Sequence, residues 1–320
     1  MLTTVDALEY GLSDADRAAL REAARSSADG ASLERLLPSG LSRFLQDFRT
    51  GRGTAGYAVI SGVELGELPP TPSDYTVGIL LDHETTGTMR VIAECLGGLV
   101  GYADEKGGSF IHEVHPVRGE EDHIENTGSV AFDFHTENVH HPLRPDFLGL
   151  LCLRQDHERV AATRVSSVRH AVSHLEPWQL AALREARFES LYPTSFVRGQ
   201  SGPRPSTNPH PVVFGPESQP LMRYNSHNTR AMDEEGGTAL KALSEALEAV
   251  CHNLVLRPGD LVIVDNHVAA HGRSAFVPRY DGRDRWLRRF YAIEATPRWA
   301  RGMMVRPRVL PPVPNVLGVF

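Results

Sequence analysis

Apolar residues recur at helical spacing through the first fifty residues of this 320-residue chain and then change period. Ser13 and Asp16 form a capping-box-like pair ahead of the first apolar stripe. The run 56–62 is short, β-rich and bounded by glycines, which indicates a strand. Helices are predicted over residues 18–24, 41–48 and 88–100.

Short β-rich runs separated by turn residues dominate the chain from residue 129 onward. Strands are predicted at 130–134, 147–153, 161–166, 220–225, 253–256, 260–264 and 288–293, with helical stretches at 167–187 and 233–252. The regular strand–helix alternation of a parallel α/β sheet is missing. The pattern therefore predicts a mainly β fold, a barrel or jelly roll wrapped by helices.

The chain is predicted to form one domain, residues 1–320. Its predicted parts are N-terminal helices over 1–55, a β core over 56–300 and a C-terminal tail over 301–320. Two polar, glycine-rich or proline-rich stretches, near 101–128 and 198–232, are predicted to be insertions in this core. Such stretches are either lids over a site or variable surface connections.

Composition narrows the class of partner. A formal charge of −7 and a pI near 6.1 give no electrostatic reason to expect nucleic acid or an anionic membrane, so a small molecule is expected. Cys95, Cys152 and Cys251 are too widely spaced for a disulfide framework or a thiolate zinc site. The N-terminus carries no basic leader and no long apolar run, which favours the cytoplasm.

His135 and Glu137 are the strongest candidates for metal binding. Residues i and i+2 of a strand share a face, so the two side chains form a chelating pair. His271 follows a predicted strand and precedes Gly272-Arg273, where a barrel strand would turn toward its mouth. Two imidazoles and a carboxylate can occupy one face of a divalent iron and leave the other face open.

Several alternatives compete with this interpretation. An isolated His-X-Glu occurs often by chance as two polar residues at a strand end, so His271 carries much of the weight. At most one of His140 and His141 could join His135, because neighbouring strand residues face opposite ways. His267 shares a face with His271 only on a helix, which the flanking residues disfavour. A zinc hydrolase with the same three ligands stays open.

Arg285 lies fourteen residues after His271, on the predicted returning strand. A guanidinium fork deep in a barrel is suited to bidentate capture of a carboxylate. Thr163, on another strand, could add a hydroxyl to the same carboxylate. Taken alone, Arg285 would more often form a surface salt bridge with Asp281 or Asp284.

Six short motifs follow one another in a fixed order. They are Phe134-His-Thr-Glu-Asn138, Arg144-Pro-Asp-Phe147, Leu151-Cys-Leu-Arg154, Asp265-Asn266, His271-Gly-Arg273 and Tyr280-Asp-Gly-Arg-Asp-Arg-Trp-Leu287. This set resembles the clavaminate synthase-like branch of the iron(II)/2-oxoglutarate-dependent oxygenases, which includes hydroxylases of free arginine, lysine and asparagine. The similarity spans roughly residues 56–293.

The resemblance implies a double-stranded β-helix core, the cupin-like jelly roll, and a role for each candidate residue. His135, Glu137 and His271 would bind iron(II), and Arg285 with Thr163 would hold the distal carboxylate of 2-oxoglutarate. O2 would be the second cosubstrate, with succinate and CO2 released. Such chemistry needs no protein base, so the protein supplies position and a dry site.

The resemblance also implies a substrate site. Arg289 matches the arginine that binds the substrate carboxylate, and Glu137 could reach the substrate amine. His112 stands where arginine and lysine hydroxylases have a glutamine. Arginine-using relatives hold the guanidinium with two acidic residues, but this chain has Asn225 and His227 there. A cationic end group would lack its partners, so we expect an amino acid or derivative whose far end is neutral or polar.

Hydroxylation of a free or modified L-amino acid is the expected reaction, and the same iron chemistry could also desaturate or cyclise such a substrate. A taurine-dioxygenase-like enzyme acting on another small acid is the enzymatic alternative. A metabolite-binding barrel without catalysis is the alternative from another class. The sequence makes no prediction of the oligomeric state.

Overall fold

A computed structural model describes residues 7–26, 30–51, 53–75, 78–124, 127–196 and 203–313. Two mainly antiparallel sheets form the core and helices flank them, which is the predicted jelly roll. No helix in these ranges is both long enough and apolar enough to cross a membrane.

The strands are numbered in chain order. They are β1 Leu8–Gly11, β2 Tyr57–Ser61, β3 Leu99–Tyr102, β4 Ile111–Val114, β5 Phe132–His135, β6 Phe147–Arg154, β7 Thr163–Ser167, β8 Phe188–Ser190, β9 Val213–Phe214, β10 Leu221–Met222, β11 Thr229–Ala231, β12 His252–Leu254, β13 Leu261–Asp265, β14 Ala269–Arg273, β15 Trp286–Ala292 and β16 Val309–Leu310.

The helices are short except for α1, α3, α4 and α7. They are α1 Asp14–Arg25, α2 Gly30–Glu34, α3 Ser39–Arg49, α4 Glu84–Cys95, α5 Val168–Ala171, α6 Pro177–Leu183, α7 Glu234–Ala249 and α8 Arg298–Arg301. The predicted cap of α1 is present: the Ser13 hydroxyl accepts from the Asp16 N–H, and the Asp16 carboxylate accepts from the Ser13 N–H.

The larger sheet has the order β1-β2-β13-β6-β15-β3-β16, and β4 also pairs with β15. The smaller sheet has the order β12-β7-β14-β5. One apolar cluster lies between the sheets and includes Leu148 and Val262 of the larger sheet with Val165 and Ala269 of the smaller one. Helices α1, α3 and α4 cover the outer face of the larger sheet, and α5 to α7 pack beside the smaller one.

The structure differs from the predicted organisation in four places. The N-terminal region is not purely helical, because β1 pairs with β2. The third helix ends at Cys95, and the residues that follow form β3. Stretch 101–128 contains β4, which pairs with the central strand β15, so it is not simply a lid-like insertion. The C-terminal tail contributes β16, which pairs with β3.

The second insertion also carries structure. Within 203–232, β9 pairs with β10, and β11 pairs with β8. Residues 198–202 of this predicted loop or lid, and 314–320 of the predicted tail, lie outside the described residues. The predicted strand 220–225 is present but reduced to the two residues of β10, whereas β9 and β11 are too short, at two and three residues, to show a strand period.

Gly149 in β6 lies opposite Phe290 of β15, and a Cβ built there would overlap the Phe290 ring. We expect Gly149→Ala to lower the free energy of unfolding by about 1–3 kcal/mol, because the core cannot absorb the added carbon without strain. Denaturant-induced unfolding at fixed pH measures the change.

Gly237→Ala is the matched control. A Cβ at this position in α7 meets no atom within 4 Å. Alanine favours the helix, so we expect this variant to gain roughly 0.5–1 kcal/mol. Equal stability of the two variants would contradict the packing described around Gly149.

Candidate metal centre

Strand pairing in the smaller sheet brings the three predicted ligands together. β14 lies between β5 and β7, with His271 opposite His135, and Glu137 follows the end of β5. One ligand atom from each of His135, Glu137 and His271 lies within 4.8 Å of the others, and all three side chains are buried.

The His135 ring is held in one orientation. Its Nδ1 lies 3.1 Å from the Asp133 carbonyl oxygen, which can only accept, so Nδ1 carries the proton and Nε2 is left as a ligand. The ring stacks on Phe132 and approaches His271, with centroids 4.0 and 4.2 Å away. Burial, followed by the neighbouring His271, lowers the pKa of His135 to about 3.

Glu137 stays charged although it is buried. Burial alone raises the pKa of its carboxyl, but the Arg289 guanidinium and His271 together bring it well below the ordinary value. Glu137 Oε1 accepts from Arg289 Nη1 at 2.8 Å and lies 3.5 Å from His271 Nε2. His271 Nδ1 is buried with no hydrogen-bond partner among the described residues. This imidazole–carboxylate–imidazole set fits a divalent iron.

The competing histidines lie elsewhere. His140 is buried against Tyr192 and Phe196, and the Leu143 N–H donates to His141. His267 bonds to Asp146 and Arg144. None of the three belongs to the metal-binding cluster.

Arg285 and Thr163 meet on one side of the triad. Arg285 Nη2 donates to Thr163 Oγ1 at 3.3 Å, and the same cavity is lined by His135 and His271. Arg273 enters the cavity too: both guanidiniums lie within 6 Å of the Phe276 ring, at 5.9 and 5.8 Å. Burial, and then Arg285, lower the pKa of Arg273 to about 9. Two buried guanidinium groups in one cavity favour the binding of an anion.

The surface salt bridge considered for Arg285 is not formed in the described structure. Asp284 accepts the backbone N–H groups of Arg279 and Tyr280, and Asp281 contacts His157. Arg285 is 5 % exposed, so it faces the interior.

Arg289 links the triad to a second compartment, which is also lined by Glu105, Asn225 and His227. Its Nη2 donates to Glu105 Oε1 at 2.7 Å and to His112 Nδ1 at 3.0 Å. The opposite nitrogen of His112 lies 3.0 Å from the Ser109 carbonyl and must be the donor there, which leaves Nδ1 as an acceptor. Burial lowers the pKa of His112, in keeping with a neutral ring.

Sequence reasoning did not find Glu105 or assign a role to Arg273. Glu105 lies in the polar stretch after β3, where no local pattern marked it. Arg273 belongs to the His-Gly-Arg motif, but its direction depends on β14 pairing with Thr163 of β7.

Asn225 and His227 line the far wall of this second compartment, together with Asn228. Asn225 Oδ1 accepts the backbone N–H groups of His227 and Asn228, both at 3.0 Å. His227 Nε2 is 3.6 Å from Asp133 Oδ2. The compartment shares Phe132, His135 and Arg289 with the cavity around Arg285.

Residues 77–291 match the family described as taurine catabolism dioxygenase TauD, TfdA family. The chain belongs to this family. It is 36% identical to L-asparagine oxygenase of Streptomyces coelicolor over 259 residues, which cover 80% of this chain and 76% of the relative. It is 33% identical to clavaminate synthase 2 of Streptomyces clavuligerus over 258 residues, or 80% and 79% of the two chains.

A solved asparagine oxygenase in complex with Fe(II), 2S,3S-3-hydroxyasparagine and succinate has a TM-score of 0.84 at 32% identity, covering 95% of this chain and 99% of that one. As a TauD/TfdA family member, the chain is a 2-oxoglutarate-dependent non-haem iron oxygenase. The predicted enzyme class, fold and cofactors, iron(II) included, are confirmed, and the alternative of a zinc hydrolase is not supported.

The lowered pKa of His135 predicts the acid sensitivity of the metal-free protein. In the unfolded chain His135 takes up a proton near its ordinary pKa of 6.5, whereas the folded chain resists protonation down to about 3. Stability is therefore lost as pH falls through this window, by up to about 1.4 kcal/mol per pH unit. The pKa values of His140, His141 and His210 are also lowered, so these residues also reduce stability as pH falls.

We expect His135→Asn to reduce that slope by about 1 kcal/mol per pH unit on average over this range. Denaturant unfolding between pH 6.5 and 5, with a chelator present, measures it. His123→Asn, at an exposed ring, serves as the control and should leave the slope unchanged. A slope identical in both variants would contradict a buried neutral His135.

Proposed function

We propose that this oxygenase hydroxylates an unactivated C–H bond of a free or modified L-amino acid and releases succinate and CO2. The observation that carries the proposal is the placement of Arg289 between Glu137 and Glu105, beside the metal triad. One guanidinium and two carboxylates in a buried pocket match the carboxylate and ammonium of an amino acid.

In this proposal His135, Glu137 and His271 hold iron(II), which supplies the activation of O2. Arg285 and Thr163 bind the distal carboxylate of 2-oxoglutarate, and Arg273 adds positive charge to the same cavity. Arg289 receives the substrate carboxylate, and Glu137 and Glu105 receive its ammonium group. His112 orients Arg289 by accepting one of its N–H groups.

The far wall supports a substrate whose end group is not cationic. Two backbone N–H groups already occupy Asn225 Oδ1, so its Nδ2 is the atom available to the cavity, as a donor. Asn228 Oδ1 is likewise occupied by Arg204 Nη2 at 2.6 Å. A wall of donors favours a carbonyl or carboxylate oxygen, and His227 extends the same polar surface. Because both asparagine oxygens are already occupied, an ammonium or guanidinium group would gain fewer hydrogen bonds from these two side chains than an oxygen would.

Turnover with a panel of amino acids tests the function. The protein is incubated with iron(II), ascorbate, 2-oxoglutarate and asparagine, glutamine, aspartate, lysine or arginine, and succinate and product mass are followed. We expect gain of one oxygen on a substrate with a neutral or acidic side chain, and kcat/KM roughly 30-fold lower or worse for arginine and lysine.

Loss of two hydrogens instead would indicate desaturation or cyclisation of the same substrate. Efficient turnover of arginine would contradict the proposed far wall. Turnover of small sulfonates but of no amino acid would favour the taurine-dioxygenase-like alternative. The His135→Ala variant is the control. If the unmodified protein and this variant both bind the ligand and neither forms succinate, the result would favour a binding barrel.

Removing the Arg285 guanidinium tests the cosubstrate site. We expect Arg285→Gln to weaken 2-oxoglutarate binding roughly 30-fold or more, because a buried carboxylate would lose its charged partner. Calorimetric titration of 2-oxoglutarate into protein loaded with Co(II) gives the affinity. Arg230→Gln, at an arginine paired with Glu189 on the surface, is the control. Unchanged affinity in Arg285→Gln would place the cosubstrate elsewhere.

A further inference from the structure

The turn between β13 and β14 contains a fully buried asparagine, Asn266, whose carboxamide forms hydrogen bonds with the backbone of Glu137. Asn266 Oδ1 accepts the Glu137 N–H at 2.6 Å, and Asn266 Nδ2 donates to the Glu137 carbonyl at 3.2 Å. Nδ2 also donates to the Pro145 carbonyl at 2.8 Å. Both polar groups of the Glu137 peptide are therefore satisfied by a single side chain.

Glu137 needs such support because it lies beyond the end of its strand. β5 ends at His135, and the Thr136 N–H already turns to the Tyr224 carbonyl at 2.7 Å. Asn138 then takes a left-handed conformation with φ of 51°, so the chain leaves the sheet at once. No strand ladder holds the Glu137 peptide, and its buried N–H and C=O would otherwise be unpaired.

A second link ties the same two segments together further from the triad. The Asn266 N–H donates to the Asp146 carbonyl at 2.8 Å. His267 Nδ1 accepts from Arg144 Nη2 at 3.0 Å, so its Nε2 is the donor to Asp146 Oδ1 at 2.8 Å. The turn that leads into β14 and His271 is therefore hydrogen-bonded to Asp146, in the segment that follows Glu137.

We propose that Asn266 is a positioning residue of the metal centre: its carboxamide sets the direction of the Glu137 carboxylate relative to His271, and metal affinity depends on it. The inference rests on the proposed role of Glu137 as a ligand. Outer partners of metal ligands typically change affinity about 10- to 100-fold when they are removed. A purely structural asparagine would instead affect folding and leave the metal affinity of the folded protein unchanged.

The test measures Co(II) affinity by calorimetric titration of the full chain, without substrates, together with the melting temperature of the metal-free protein. We expect Asn266→Ala to weaken Co(II) binding about 10- to 100-fold. Asn266→Asp keeps an acceptor for the Glu137 N–H but loses both donated bonds, so we expect a smaller loss. Asn253→Ala, at an exposed asparagine of β12 in the same smaller sheet, should bind Co(II) like the unmodified chain.

His267→Gln separates the two links, because it disturbs the outer link and leaves the Asn266 carboxamide in place. We expect its Co(II) affinity to stay close to that of the unmodified chain. A lower melting temperature of Asn266→Ala with unchanged Co(II) affinity would overturn the proposal, as would failure of both Asn266 variants to fold. Absence of Co(II) binding in the unmodified chain would contradict the metal site of the proposed function itself.

Discussion

The ion pair between Glu137 and Arg289 connects the two sheets of this fold. Glu137 follows a strand of the smaller sheet, Arg289 lies in β15 of the larger one, and each side chain is 8% exposed. A carboxylate that is buried without a cation takes up a proton, and in that form it is a poor metal ligand. The approach of the two sheets therefore helps to keep Glu137 charged, together with the neighbouring His271.

The cavity divides its charge between two compartments that share His135. On one side the guanidiniums of Arg273 and Arg285 approach each other, which suits a dicarboxylate such as 2-oxoglutarate. On the other side Arg289 is balanced by Glu105 and Glu137, which suits a zwitterion. In the proposed function, this difference in charge directs 2-oxoglutarate to the first compartment and the amino acid to the second.

Prediction succeeded where the determining pattern is local. The apolar run of β6 and the amphipathic stripe of α7 each reveal their type within one window of sequence. β1 and β16 were missed because two to four residues carry too little periodicity, and pairing with distant strands defines them. β4 was missed for a different reason. Its Glu113 is buried and accepts hydrogen bonds from Trp286 and Arg288. A charged residue that indicates a surface position in the sequence therefore lies in the interior of the fold.

The sequence by itself determined the chemistry of this protein: the ligand types His135, Glu137 and His271, and an arginine at a fixed spacing from the last of them, indicate iron and a carboxylate cosubstrate. Only the tertiary structure decided which groups face one another. The contact between Glu105 and Arg289 joins two residues that are far apart in the chain. Residue type is a local property, whereas burial, charge balance and donor direction depend on neighbours that folding supplies.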